Sequence, residues 1–235
     1  MQAKLIILLL ILPMVAMAQQ LRDDVYSTPL GQLTLTQLNH SSILLKINEK
    51  VIYIDPYERT TKFSELPKAD LILITHEHPD HFDKKALDKI TTDKTSIITT
   101  ATVVAAGLTQ ASVINNGESK TWNNIEIKAV PAYNLLHKRP DGKFYHEKGI
   151  GNGYILSFKT FRLYIAGDTE NIPEMATFGK IDVAFLPKNL PYTMTDEQFI
   201  EAAKAIHPKV LYPYHYSELN REVLSKQLPK EIEFK

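Results

Sequence analysis

His76-Glu77-His78-Pro79-Asp80-His81 places three histidines and an aspartate within six residues, directly after the apolar run Leu71-Ile72-Leu73-Ile74. Imidazole and carboxylate are the donors that zinc, iron and manganese take at sites that activate water. Polar groups this dense at the end of a buried strand cost stability unless something binds there. His76 and His78 reach one ion if the chain turns beyond the strand, and Asp80 and His81 then face a second position. Two ions sharing a water need about three more protein ligands.

Other candidates also sit at or just past expected strand ends. Asp168 lies in Ala166-Gly167-Asp168-Thr169, His215 follows the apolar segment 210–214, and His146 lies in the long irregular stretch 134–152. Each has a plainer reading when taken alone: Asp168 as a turn residue after Gly167, His215 as the end of a strand. His207, before Pro208, and His137, beside Lys138 and Arg139, read as solvated. In an α/β sheet, ligands converge at the carboxyl ends of strands, so the cluster at 76–81 strengthens Asp168 and His215.

Those side chains need a scaffold. Period-two and continuous apolar runs predict strands over 32–38, 42–47 and 51–54, with Asn48-Glu49-Lys50 as a hairpin turn. Residues 71–75 read as a strand buried on both faces and 83–90 as a helix. Further strands are expected over 96–99, 125–130, 154–158, 162–166, 183–186 and 210–214. Helices are expected over 102–107, from the capping box Thr195-Asp196-Glu197-Gln198 to about Ala205, and over 221–227. Hairpins followed by strands alternating with helices indicate an α/β layered domain.

The first eighteen of the 235 residues read as a signal peptide: Lys4, the apolar run 5–12, and Ala16-Met17-Ala18 before Gln19. The expectation is an exported protein, periplasmic or secreted, with one domain over 19–235 and no stable membrane insertion. Removing Lys4 leaves 26 basic against 27 acidic groups, which suggests neither nucleic acid nor an anionic membrane as partner. With no cysteine, disulfides, thiolate metal sites, thiol nucleophiles and a lipidated-cysteine anchor are all excluded. Any metal must be held by His, Asp or Glu.

The spacing His76-x-His78-x-Asp80-His81, with Gly167-Asp168 and a late His215, resembles the metallo-β-lactamase superfamily over nearly the whole chain after residue 18. Asn39-His40-Ser41-Ser42, Ile54-Asp55-Pro56, Ile172-Pro173-Glu174-Met175 and Pro213-Tyr214-His215-Tyr216 are similar to its stand-alone hydrolases related to L-ascorbate-6-phosphate lactonase. The resemblance implies a four-layer αβ/βα sandwich, two mixed sheets flanked by helices, with the site between the halves. It implies His76, His78 and a third histidine around one ion, Asp80, His81 and His215 around the other, and Asp168 bridging. Relatives often carry that third histidine where this chain has Asn134; His146 is the expected substitute, with Asn134 as a weak ligand. His40 is placed beside the cleft, with Asp80, as a catalytic candidate, or as a buried core histidine; Asp55 is a partner of a ligating imidazole or a turn former.

The expected reaction is hydrolysis of a small ester, lactone or phosphodiester by hydroxide held at a dinuclear site, with two divalent ions, Zn2+ first and Mn2+ or Fe as alternatives. Neither a G-x-S-x-G nucleophile motif nor a cysteine nucleophile is present. Loops 188–193 and 137–153 are expected to face the substrate. Antibiotic hydrolysis is disfavoured, because penicillin-hydrolysing members commonly use cysteine where Asp168 stands. Alternatives are a metal-binding protein of the same fold with a degenerate site and an iron-containing oxidoreductase. A homo-oligomer stays open.

Overall fold

A computed structural model describes residues 22–235; the signal-peptide reading of 1–18 falls outside the described residues. Among the described residues, fourteen strands form two seven-stranded sheets. The first contains β1 (Asp23–Thr28), β2 (Gly31–Asn39), β3 (Ser42–Ile47), β4 (Lys50–Ile54), β5 (Leu71–Leu73), β6 (Ser96–Thr99) and β7 (Ser112–Val113), in that order. The second contains β8 (Ser119–Trp122), β9 (Ile125–Ala132), β10 (Gly151–Phe158), β11 (Phe161–Ile165), β12 (Val183–Pro187), β13 (Val210–Tyr214) and β14 (Glu233–Phe234).

The two sheets repeat one topology. In each, the first four strands pair antiparallel through hairpins, and the last four pair parallel. The second half runs β8 to β14 as the first runs β1 to β7, although the sequence shows no repeat. The pleat explains the layering. Leu71 and Leu73 of β5 point into an inter-sheet core with Ile54, Leu156, Ile165 and Phe185. Ile72 and Ile74 point the other way, against Ala86, Leu87 and Ile90 of α1 (Lys84–Ile90) and Val103 of α2 (Ala101–Ala105). On the far side, Tyr164, Ala184 and Leu211 pack against Phe199 and Ala203 of α3 (Asp196–Ile206) and Leu224 of α4 (Arg221–Gln227). The result is the expected αβ/βα sandwich, with three apolar interfaces between four layers. Among the described residues no helix is long and apolar enough to cross a membrane.

Local chemistry explains most boundaries. Asp83 caps α1 by accepting from the Lys85 N–H, so the helix opens one residue later than the apolar spacing indicates. Thr195 and Gln198 form the capping box of α3. Only Asn48 and Glu49 make the β3–β4 turn, both at positive φ, and Lys50 already pairs with Ile47. Strand β1 escapes the sequence pattern because Asp23-Asp24-Val25-Tyr26-Ser27-Thr28 has no apolar alternation and lies half-exposed at the sheet edge. The two-residue strands β7 and β14 are too short to carry a pattern.

Gly167 positions the chain beyond β11. Its φ is +68°, and a Cβ there would lie 2.7 Å from the Asn152 carbonyl oxygen. Gly142 also has positive φ, +85°, but nothing lies within 4 Å of a Cβ there. Gly167→Ala should therefore lose about 1–3 kcal/mol of stability in chemical denaturation and Gly142→Ala clearly less. Equal losses at the two positions would show that backbone conformation alone, not close approach, requires the glycine.

Candidate metal centre

Asp55, immediately after β4, is the buried anchor of the centre. Its Oδ1 accepts from the Thr75 N–H at 2.8 Å, and its Oδ2 accepts from the Thr75 hydroxyl at 2.7 Å and from His81 Nδ1 at 2.8 Å. An Nδ1–H donated to a carboxylate fixes the tautomer and turns His81 Nε2 inward. The Thr75 hydroxyl also lies 2.9 Å from His76 Nδ1, which likewise leaves His76 Nε2 as the free nitrogen.

Three imidazole nitrogens converge beyond β5. His78 Nδ1 lies 3.1 Å from His76 Nε2 and 3.2 Å from His146 Nε2. Burial lowers the pKa of all three rings, His76 far below its usual range and His146 to about 4, so they stay neutral with lone pairs available. Asp168 lies at the junction with a second group: Oδ2 is 3.4 Å from His146 Nε2 and 3.5 Å from His215 Nε2, and Oδ1 is 3.3 Å from His81 Nε2. Asp80 Oδ2 completes that group, 3.2 Å from His215 Nε2, 3.9 Å from His81 Nε2 and 2.9 Å from His40 Nε2. Burial opposes ionisation of Asp80, but hydrogen bonds from His215 and His40 outweigh it and keep the carboxyl well below its usual pKa.

All seven sequence-derived ligand candidates thus meet at one place. Among the described residues, the trios that could hold a metal are His76/His78/His146, His76/His81/Asp168 and His40/Asp80/His215. His40, His215 and Asp55 hold left-handed backbone at φ 52°, 49° and 44°, and the His215 N–H donates to the His40 carbonyl. Non-glycine residues enter that region at a cost and cluster where function requires it.

Two atoms show whether a cation fits. His81 Nε2 and Asp168 Oδ1 are buried, face each other, and make no hydrogen bond. Such orphaned groups are rare in proteins. On His81, burial lowers the pKa, yet the Asp168 and Asp55 carboxylates win and hold it well above its usual value. A divalent cation fits this donor set of neutral imidazoles, two carboxylates and no sulfur, and would displace that proton.

Asn134 does not face the centre as a weak ligand. Its Oδ1 accepts from the His146 N–H at 2.7 Å and His146 Nδ1 at 2.9 Å, and its Nδ2 donates to Glu170 Oε1 and the Tyr192 carbonyl. Asn134 instead orients His146. Glu170, absent from the sequence reading, is fully buried and accepts from the backbone N–H groups of Leu135, Leu136 and His137, as well as from Asn134 and Gln198. His137 is not solvated: its Nδ1 lies 2.7 Å from Glu170 Oε1. His207 is exposed, at the left-handed C-cap of α3. The sequence signal for Glu170 was its place two residues after Asp168, beyond the same strand.

The model of the β-lactamase superfamily domain matches residues 34–215. A UPF0173 metal-dependent hydrolase of Thermus thermophilus is 32% identical over 187 residues, covering 77% of this chain and 82% of that protein. The chain belongs to the β-lactamase superfamily. A crystal structure from Parabacteroides distasonis, provisionally described as a metal-dependent hydrolase, superposes with TM-score 0.86 at 41% identity, covering 92% of this chain and 97% of that one. Igni18, a metallo hydrolase of Ignicoccus hospitalis, shares the fold at TM-score 0.71 and 24% identity, covering 86% and 94%. The signal-peptide, periplasmic and secreted reading is corrected here. The family match begins at residue 34, these relatives are described by metal-dependent hydrolysis and give export no support, and residues 1–18 lie outside the described structure.

Asn134→Ala should weaken metal binding about 10- to 100-fold, the usual effect of removing a partner that orients a ligating histidine. Competition with a chromogenic chelator measures this. Unchanged affinity would show that Asn134 does not set the His146 orientation.

Proposed function

We propose that this metal-dependent hydrolase works through two divalent ions, with His76, His78 and His146 around one, Asp80, His81 and His215 around the other, and Asp168 between them. The observation that carries the reading is the buried, unpartnered pair His81 Nε2 and Asp168 Oδ1 at the junction of the two groups. The family and the named relatives support metal-dependent hydrolysis. Zinc suits the donors first, and manganese or iron also suits them. When bound, such ions acidify water and polarise the carbonyl or phosphoryl oxygen under attack.

The remaining work falls to the chain. Asp55, Thr75 and Asn134 hold His81, His76 and His146 in single tautomers. Asp80, kept ionised by His215 and His40, orients the water as an acceptor. His40, partly exposed, donates from Nε2 to Asp80 Oδ2 at 2.9 Å and so holds that carboxylate ionised and aimed at the attacking water. Asn189 and Tyr192 of the 188–193 loop line a cavity of about 430 Å³ beside Asp80 and His215, of a size for a small ester, lactone or phosphodiester.

Metal analysis of the purified protein should find two equivalents. Chelation should abolish hydrolysis across a panel of aryl phosphodiesters, lactones and esters, and zinc or manganese should restore it. A fully metallated sample that cleaves none of them would overturn the hydrolase reading. His81→Ala should lower kcat/KM by more than about 100-fold, since orienting partners alone are worth 10- to 100-fold. Wild-type turnover in His81→Ala would rule out two ions.

A further inference from the structure

Arg139 stands on the strap between β9 and β10, shared by the two cavities that flank the metal centre, of about 300 and 430 Å³. The strap is itself ordered by hydrogen bonds. Arg139-Pro140-Asp141-Gly142 is a tight turn closed by Gly142 N–H to Arg139 O at 3.0 Å, and Arg139 N–H meets Lys143 O at 2.7 Å. Lys138 and Phe144 pair beyond it. Proline at the second position and glycine at the fourth are the residues such a turn favours.

The surroundings of the guanidinium leave most of its donors unspent. It donates to the Tyr145 carbonyl at 2.9 Å and lies over the Tyr145 ring. Its other near neighbour is His78 Nε2, at 3.2 Å. His78 directs Nδ1 at His76 Nε2 and His146 Nε2, so a lone pair there puts the ring hydrogen on Nε2. Two N–H donors do not bond, so in that tautomer Arg139 has one backbone acceptor for five N–H groups. Among the described residues no carboxylate lies within ion-pairing distance of it. The side chain is exposed, permanently charged and shaped to grip a planar or tetrahedral oxyanion at two points.

We propose that the substrate carries an anionic group, a carboxylate or phosphate oxyanion, that Arg139 grips beside the metal centre while the scissile bond lies over it. The inference rests on the hydrolase reading and adds the charge of the substrate. Lys143, next to Arg139 across the turn, lines the same cavity as a second cation. Glu77 and Glu147 line it too, and Glu77 is engaged by the Thr102 hydroxyl at 2.7 Å. With Asp168 the cavity has three carboxylates against two cations, so selection comes from the placed guanidinium fork rather than from the cavity's overall charge.

Matched nitrophenyl esters test the proposal on metal-loaded protein: a neutral butyrate, a succinate with a free carboxylate and a phosphate-bearing analogue. The expected result is a kcat/KM at least tenfold higher for an anionic ester than for butyrate, of the size one charge-assisted hydrogen bond provides. The two anionic esters together identify which oxyanion is preferred. In Arg139→Ala the ratio should fall towards unity through a higher KM, and Arg139→Lys should restore part of it. Equal kcat/KM for neutral and anionic esters, or a preference that survives Arg139→Ala, overturns the proposal and leaves the hydrolase reading intact. If no ester is cleaved, calorimetry with inorganic phosphate on the same metal-loaded samples decides the charge question separately. A Kd about tenfold weaker in Arg139→Ala supports the anion site, and equal Kd values overturn it.

Discussion

The buried pair of Asp55 and His81 is the constraint on which the rest of the centre depends. Both side chains are out of water, 2.8 Å apart, and a buried carboxylate is tolerated only when its acceptors are filled. Thr75 fills them from two directions, through its backbone N–H and its hydroxyl, because β4 and β5 run parallel and deliver Asp55 and Thr75 side by side. The consequence is directional. With Nδ1 committed to Asp55, His81 can only aim Nε2 at Asp168, and that second carboxylate is left with an oxygen nothing in the protein satisfies. One side of the imidazole is fully bonded, and the other faces a carboxylate oxygen with no hydrogen bond, an arrangement that a cation would complete.

The sheets make this aim rigid. Both halves change from antiparallel to parallel pairing after their fourth strand, and in both the parallel strands bring their carboxyl ends to the same edge. Asp55 follows β4, His76 follows β5, Asp168 follows β11 and His215 follows β13. Each of those strands is buried on both faces, so a ligand can shift only by disturbing an apolar layer packed on either side. The strap 134–150 and the loop 188–193 are laid over this fixed edge.

Much of this was legible because strand ends and donor clusters leave local marks. His76-x-His78-x-Asp80-His81 stands out by composition, and β5, β11 and β13 announce themselves as apolar runs ahead of Asp168 and His215. What stayed hidden depends on contacts between distant segments. Asp55 reads equally as a turn former before Pro56 until Thr75 and His81 are seen against it. Glu170 looks like a surface residue, since its partners are backbone N–H groups 33 to 35 residues away, which have no sequence signature. His137 reads as solvated beside Lys138 and Arg139, and its contact with Glu170, 33 residues away, leaves no mark in the sequence. The repeated topology is equally invisible, because each half preserves the order and direction of its strands and not their side chains.

Asn134 shows how one side chain can leave its place at the centre to an imidazole from another segment. A histidine at that position would extend directly from the end of β9. Here the side chain is shorter, its amide oxygen holds both the backbone and the ring of His146, and the imidazole arrives from the far end of the strap. That exchange couples two functions that would otherwise be independent. The turn at 134–137 is bound to Glu170, His146 is bound to Asn134, and Arg139 lies between those two attachments on the same strap. Whatever displaces the strap therefore moves a metal-facing nitrogen and the neighbouring guanidinium together, while His76 and His81 stay fixed to the sheet edge through Thr75 and Asp55.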